Sequence, residues 1–500
     1  MKKAVLLIVD GAGIRPPCAG NAVTPDTMPR FFSLLEKYGH ATLEASGPAV
    51  GQEPGMVGNS EVGHTVIGAG FVPLTALGRI QQAYENGSWA DHPAWQVLAR
   101  SPRVHIVGLV SDAGTHAHLR TLEQAHALAA ARCPRSEVVV HLILDGVDSA
   151  KGTAPALLEG VLAQPMKVGV VMGRKWFCDR SGDLALTQML VDSLRSGAGL
   201  PQYSPEALAA HLEHKSEASF PAHAIHRIPV AADEPVILTS HRADRLQQAA
   251  TALAGRNPVY TMVEAGPEVP VTNVFFPAAP LGHGLSLELR RHGIPNTRIA
   301  ESSKFAHVTQ FFNGLNPPDG ERSICIPSIP DTELSRQPEM SLTQLQQAAA
   351  EVIASASSPH ALVINIANLD QVGHTGRFDL TCEAARHVDA AVWNLHLLCR
   401  RYGWELLITA DHGNADQMLD EGGAPFNSHS PHPVPLVVIP SDGKCAHWSS
   451  RRGSLANVAP TFAHLLGIDE PEGMHEPLLA SSQGQVAAFV APGCDGWMFL

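Results

Sequence analysis

Seven side chains carry the donors that a metal or phosphoryl-transfer centre needs: Asp10, Ser60, Asp370, His374, Asp411, His412 and His429. They offer oxygen and imidazole nitrogen without thiolate, which suits manganese, zinc or magnesium over a soft metal. Asp370 and His374 stand four residues apart, a spacing at which a carboxylate and an imidazole can converge on one ion. Asp411 and His412 are adjacent at an expected strand end, so alternation sends them to opposite sides, where they could serve two ions. Two ions can clamp both the attacking and the leaving oxygen of a phosphoryl transfer. Ser60 lies in Gly58-Asn59-Ser60-Glu61-Val62-Gly63-His64, a glycine-flanked turn ahead of an expected helix. Taken alone, this segment makes Ser60 a helix N-cap; with its oxygen on a metal, the same serine would be an activated nucleophile. Arg174, Arg180, Arg242, Arg245 and Lys304 recur near strand ends. Guanidinium forks fit phosphate and carboxylate oxygens.

The elements that must position these groups follow one pattern. A short apolar, β-branched run is followed at once by a polar cluster. It occurs at 4–9, 104–110, 138–144, 168–172, 236–238, 362–366 and 406–409. Such runs predict strands buried on both faces of a parallel sheet. Ala/Leu-rich helical stretches separate them, such as 122–131 and 342–356, which is the α/β signature. In these sheets ligands bind beyond the carboxyl ends of the strands, where the Asp, His and Arg clusters fall.

Composition excludes other classes. With 35 Lys and Arg against 48 Asp and Glu, the formal net charge is −13. With no basic block, that argues against nucleic acid or an anionic membrane as partner. No apolar run approaches the roughly 20 residues of a membrane helix. The apolar start ends at Asp10 and is too short for a signal peptide. Eight scattered cysteines without a C-x-x-C pair predict reduced thiols in a cytoplasmic protein. Histidine is abundant, with 26 copies.

The motifs together resemble the cofactor-independent phosphoglycerate mutases of the alkaline phosphatase superfamily. The resemblance rests on Val9-Asp10-Gly11, Gly58 to His64, Ser111-Asp112-Ala113-Gly114-Thr115-His116, Gly173-Arg174, Asp179-Arg180 and Arg242-Ala243-Asp244-Arg245. It continues through Glu301 to His307, Asp370 to Gly376, Thr409 to Asp416 and His429 to Pro435, collinear over nearly the whole chain. It implies an α/β phosphatase-like domain with a mostly parallel central sheet at 1–75 and 300–500. An inserted α/β substrate-binding domain would occupy 76–299. It implies two divalent ions, manganese first, with zinc, cobalt or magnesium as alternatives, and no organic cofactor. Asp370, His374 and His429 would hold one ion; Asp10, Ser60, Asp411 and His412 the other. Ser60 would carry the phosphoryl group, while His116, Asp148, Arg174, Arg180, Arg242, Arg245 and Lys304 would hold a small phosphorylated substrate. A monomer is expected, with domain closure excluding water.

Three segments depart from the family pattern. Val147 stands where the family has a substrate-binding Arg, and valine cannot make a bidentate anion contact. Ser181-Gly182-Asp183-Leu184 replaces a stretch usually rich in Arg and Trp, and Ala113 replaces a second glycine. Three readings follow: a mutase that tolerates the change through Lys151 or Lys175, a divergent phosphomutase or phosphatase acting on another small phosphate or phosphonate, and a non-catalytic metal-binding homologue.

Overall fold

Ala4–Val9 is buried at all six positions, as expected of a strand in the middle of a parallel sheet. It is β1 of a computed structural model that describes residues 2–480 apart from 53, 148, 150–152, 179–182, 197–198, 205–216, 267, 318–319, 356, 358, 421 and 470. β2 (His40–Glu44) follows. Then come β3 (Arg103–Val110), β4 (Glu137–Leu144), β5 (Lys167–Gly173), β6 (His223–Ala224), β7 (Val236–Leu238), β8 (Val259–Thr261) and β9 (Asn273–Val274). The remainder carries β10 (Asn296–Glu301), β11 (Glu321–Ile326), β12 (Ala361–Ile366), β13 (Glu405–Thr409), β14 (Val434–Ile439) and β15 (Arg452–Ser454). All seven runs expected as strands form strands.

The chain divides into two compact units. The first takes residues up to Pro73 and from Pro280 onward, around an eight-stranded sheet ordered β11-β10-β12-β1-β13-β14-β2-β15. Its strands from β11 to β13 are parallel, and β14 runs antiparallel to both neighbours. The second unit, Leu74–Ala279, holds the sheet β6-β5-β4-β3-β7-β8-β9, parallel except for β6. β3 turns Ile106 to one core and Val107 to the other, so this sheet is covered on both faces.

The chain returns to the first unit at Pro280, ahead of the expected residue 300. The reason is packing. Leu285 and Leu289 of the Leu285–Arg291 helix lie in the first unit's core, and β10 is hydrogen-bonded between β11 and β12. Among the described residues, no helix is long and apolar enough to cross a membrane. Cys18, Cys133, Cys325, Cys382, Cys399 and Cys445 are free thiols.

Glu301 ends β10 with no solvent exposure. One oxygen accepts from Ser341 N–H at 3.1 Å and the other has no partner. Burial pushes its carboxyl from 4.5 up to about 7, against the pull of the Ser341 bond. The folded value lies above the unfolded one, so this group's contribution to stability is full below about pH 4.5 and is lost as pH rises through 7. Glu301→Gln should flatten that fall, which amounts to at most about 3 kcal/mol. Urea unfolding of both chains at pH 5 and pH 8, in chelator, measures it.

Candidate active site

β12, β1 and β13 are neighbours in the first sheet, and each delivers a carboxylate at its carboxyl end. Asp10 follows β1 directly, Asp411 follows Ala410 beyond β13, and Asp370 lies in the short Asn368–Gly373 helix after β12. All three are buried. Lys304, just beyond β10, reaches in among them. Its Nζ lies 2.7 Å from Asp370 Oδ2 and 3.0 Å from Asp10 Oδ2.

Ser60 is the first residue of the Ser60–Ala69 helix, and Asn59 is the cap, accepting from Val62 N–H at 3.0 Å. The Ser60 hydroxyl is therefore spared that task. It accepts from Lys304 Nζ at 2.6 Å and lies 3.0 Å from His412 Nε2 and 3.5 Å from Asp10 Oδ1. Gly63 lets the helix approach β13. A Cβ there would fall 2.5 Å from the Asp411 carbonyl oxygen.

Two clusters of donors result. Asp370 Oδ1 lies 3.2 Å from His374 Nε2 and 3.3 Å from His429 Nε2. Both rings direct Nδ1 at backbone carbonyls, His374 at Asn427 and His429 at Gly58. That leaves Nε2 of each turned to the carboxylate, the arrangement that orients histidine ligands. In the second cluster His412 Nε2 stands 3.4 Å from both Asp10 Oδ1 and Asp411 Oδ2. Asp411 and His412 thus converge, where alternation had put them on opposite sides. The chain bends after Thr409, so strand alternation no longer applies.

The charges are unbalanced. Burial raises Asp370, but the Lys304 ammonium and the His374 and His429 bonds outweigh it and hold the carboxyl well below its usual range. Burial also raises Asp411, and His412, His64 and Lys304 pull it below its ordinary value. Asp10 stays raised, by burial and then by the Asp411 charge. Burial lowers Lys304, yet the three carboxylates carry it above its ordinary value. Asp411 Oδ2 is buried without a hydrogen bond. A hard donor set with surplus negative charge, one of whose buried carboxylate oxygens takes no hydrogen bond, fits divalent cations. Ser60, Lys304, Asp370, His374 and His429 line an open cavity of about 300 Å³ here.

The basic set gathers at the carboxyl ends of β3, β4, β5 and β7 in the second unit. Arg174, buried, forms an ion pair with buried Asp145, and its Nη2 lies 3.3 Å from His116 Nδ1. Ser111 Oγ donates to Asp145 at 2.6 Å. Arg242 directly precedes the Ala243–Ala254 helix that carries Arg245, and Ser240 Oγ donates to the His116 carbonyl at 2.8 Å. Asp148 and Arg180 lie outside the described residues, as does Lys151. Lys304, also expected to hold substrate, lies at the carboxylate centre of the first unit. Val147 is 64% exposed.

Several contributors were missed by sequence reasoning. Asn414 donates to Asp370 Oδ1 at 3.0 Å, Asn365 to Asp10 Oδ2 at 2.9 Å, and His64 Nδ1 lies 3.2 Å from Asp411. Asn365 carries a visible signal, a lone polar residue inside the apolar run 361–366. His64 shares a helix face with Ser60, four residues on.

Residues 2–470 match a family model described as the Metalloenzyme superfamily. A 2,3-bisphosphoglycerate-independent phosphoglycerate mutase of Acaryochloris marina is 34% identical over an alignment of 520 positions, gaps included, covering 96% of each chain. One from Streptomyces coelicolor is 34% identical over 93% of this chain and 95% of its own. The chain belongs to this family. Like the other independent phosphoglycerate mutases it is an isomerase, a phosphomutase of the metalloenzyme superfamily that depends on divalent metal. A Leishmania mexicana phosphoglycerate mutase, solved at low cobalt concentration, shares the fold. Its TM-score is 0.61 at 23% identity, over 96% of this chain and 98% of that one.

In this mutase Lys304 offsets part of the carboxylate charge, paired with Asp370 and Asp10. Lys304→Met should destabilise the metal-free chain by about 3–5 kcal/mol, the usual effect of breaking a buried ion pair from one side. Urea unfolding after chelation measures it.

Proposed function

We propose that this chain interconverts 3-phosphoglycerate and 2-phosphoglycerate, with Ser60 as the nucleophile that carries the phosphoryl group between the two hydroxyls. The observation that carries the reading is the placement of Ser60 Oγ. It is free of capping duty and lies 2.6 Å from Lys304 Nζ and 3.0 Å from His412 Nε2. Asp370, His374 and His429 would hold one divalent ion; Asp10, Ser60, Asp411 and His412 the second. Such ions supply Lewis-acid neutralisation of phosphate charge and favour the serine alkoxide, with manganese the first candidate.

This chain's own groups do the rest. Ser60 Oγ attacks phosphorus, the bond to the first glycerate oxygen breaks, and that oxygen takes up a proton. The other hydroxyl then gives up a proton and attacks the phosphoserine, the bond between phosphorus and Ser60 Oγ breaks, and Ser60 regains the proton it lost on attack, so atoms and charge balance over the cycle. Lys304 Nζ donates to Ser60 Oγ and steadies its charge through the exchange. The second unit's Arg174, Arg242, Arg245 and His116, with Asp148 and Arg180, hold the glycerate while it turns. Holding it through this step keeps water from taking the phosphoryl group.

One observation favours a second reading. Val147, where the resemblance implies a basic residue, presents an exposed apolar side chain at the carboxyl end of β4. A phosphomutase acting on another small phosphate or phosphonate, lacking the group that an arginine would grip, accounts for it.

With Mn²⁺ and 3-phosphoglycerate, formation of 2-phosphoglycerate coupled to enolase should report turnover. Chelation should abolish that turnover and fresh Mn²⁺ restore it. Ser60→Ala should lower kcat by several orders of magnitude, as loss of a nucleophile does. Full activity in Ser60→Ala would refute the phosphoserine route. Absence of glycerate turnover, with transfer within another phosphate ester or phosphonate, would establish the second reading.

A further inference from the structure

Between Asp10 and Asp411 lies a pair of buried side chains to which the proposed reaction gives no role. Asn365, in β12, stands opposite Ile8 in the register with β1. Its Nδ2 lies 2.9 Å from Asp10 Oδ2 and 3.0 Å from His64 Nε2. Turned the other way, the amide would set its oxygen against the Asp10 carboxylate, acceptor against acceptor. The amide nitrogen therefore faces both groups, although Asn365 Oδ1 is then left buried without a partner.

This orientation decides the tautomer of His64. An amide nitrogen only donates, so Nε2 of His64 must accept, and the ring proton lies on Nδ1. Nδ1 stands 2.9 Å from the Ser60 carbonyl oxygen and 3.2 Å from Asp411 Oδ2. The ring is fully buried and is packed by His307, whose centre lies 5.5 Å away. One imidazole thus connects Asp10, through Asn365, to Asp411 and to the backbone of Ser60. None of its polar contacts reaches Asp370, His374 or His429.

We infer that Asn365 and His64 are positioning residues that hold Asp10, Asp411 and Ser60 in register as one divalent-cation subsite, and leave the Asp370–His374–His429 subsite alone. The inference rests on the two-ion reading under the proposed function. It predicts that one ion of the two is lost selectively when the pair is broken.

The experiment uses the full chain, stripped with chelator and titrated with Mn²⁺ by calorimetry, with bound metal counted by elemental analysis. The wild-type chain should bind two ions. His64→Phe should weaken one of them about 10- to 100-fold, the usual effect of losing a supporting partner, and leave the other unchanged. Asn365→Leu should weaken the same ion. His64→Asn, whose amide can donate where Nδ1 did, should recover most of the loss. Should His64→Phe fail to fold, as judged by circular dichroism of the metal-free chain, Asn365→Leu and His64→Asn carry the test. Wild-type affinity for both ions in folded His64→Phe and Asn365→Leu would overturn the inference alone. So would equal weakening of both ions. A wild-type chain that binds fewer than two ions would overturn the two-ion reading, and this inference with it.

Discussion

Three buried carboxylates that cannot move apart are the constraint on which this structure depends. Asp10, Asp370 and Asp411 are fixed at the ends of adjacent strands and out of solvent. Two like charges 4 Å apart repel by about 4 kcal/mol at an effective dielectric of 20. One ammonium, Lys304, cannot cancel three negative charges. The neighbouring polar groups answer the same demand. Asn365 and Asn414 donate to carboxylate oxygens, and His374, His412 and His429 crowd Nε2 toward them. Built this way, the centre is a demand for cations, and the serine placed inside it is the group that such cations would activate.

The second unit solves a different problem with the same topology. Its parallel strands also end in polar clusters, but there the groups are guanidinium and imidazole, and Asp145 steadies Arg174. Each sheet thus gathers polar groups at the carboxyl ends of its strands, where ligands bind in such sheets, one set suited to cations and one to anions. Val147, exposed beyond the end of β4, stands where the sequence resemblance implies an arginine, while the seven residues proposed as metal ligands and nucleophile keep to that resemblance.

Much of this was legible in the chain because chemistry and burial coincide there. Seven apolar runs ending in polar clusters became seven strands, and residues quoted for the metal and nucleophile set meet in one place. What stayed hidden has physical causes. β10 reads Asn-Thr-Arg-Ile-Ala-Glu yet is buried throughout: Arg298 stacks over Phe312 at 4.5 Å and bonds Ser286, while Arg298 Nε and one Glu301 oxygen are buried without a hydrogen bond. Asn59 and Ser60 are both good caps, and residue type alone cannot choose between neighbours. Asp411 and His412 followed strand alternation on paper and a bend in the fold. The abundance of histidine was uninformative, since His105 and His141 stack in the interior of the second sheet, bonded to each other and to Glu234.

The position of β1 in its sheet has a consequence for synthesis. Its register partners are Ala361–Ile366 on one side and Glu405–Thr409 on the other, so this early strand becomes the middle of a sheet while both of its neighbours are made far later. On a ribosome adding about 5–20 residues per second, the nascent first strand waits some tens of seconds for a neighbour. The second unit faces no such delay, since all seven of its strands lie within one continuous stretch. The enzyme is therefore born with its anion-suited half ready to fold and an entirely apolar strand unpaired, a window in which chaperones have something to hold.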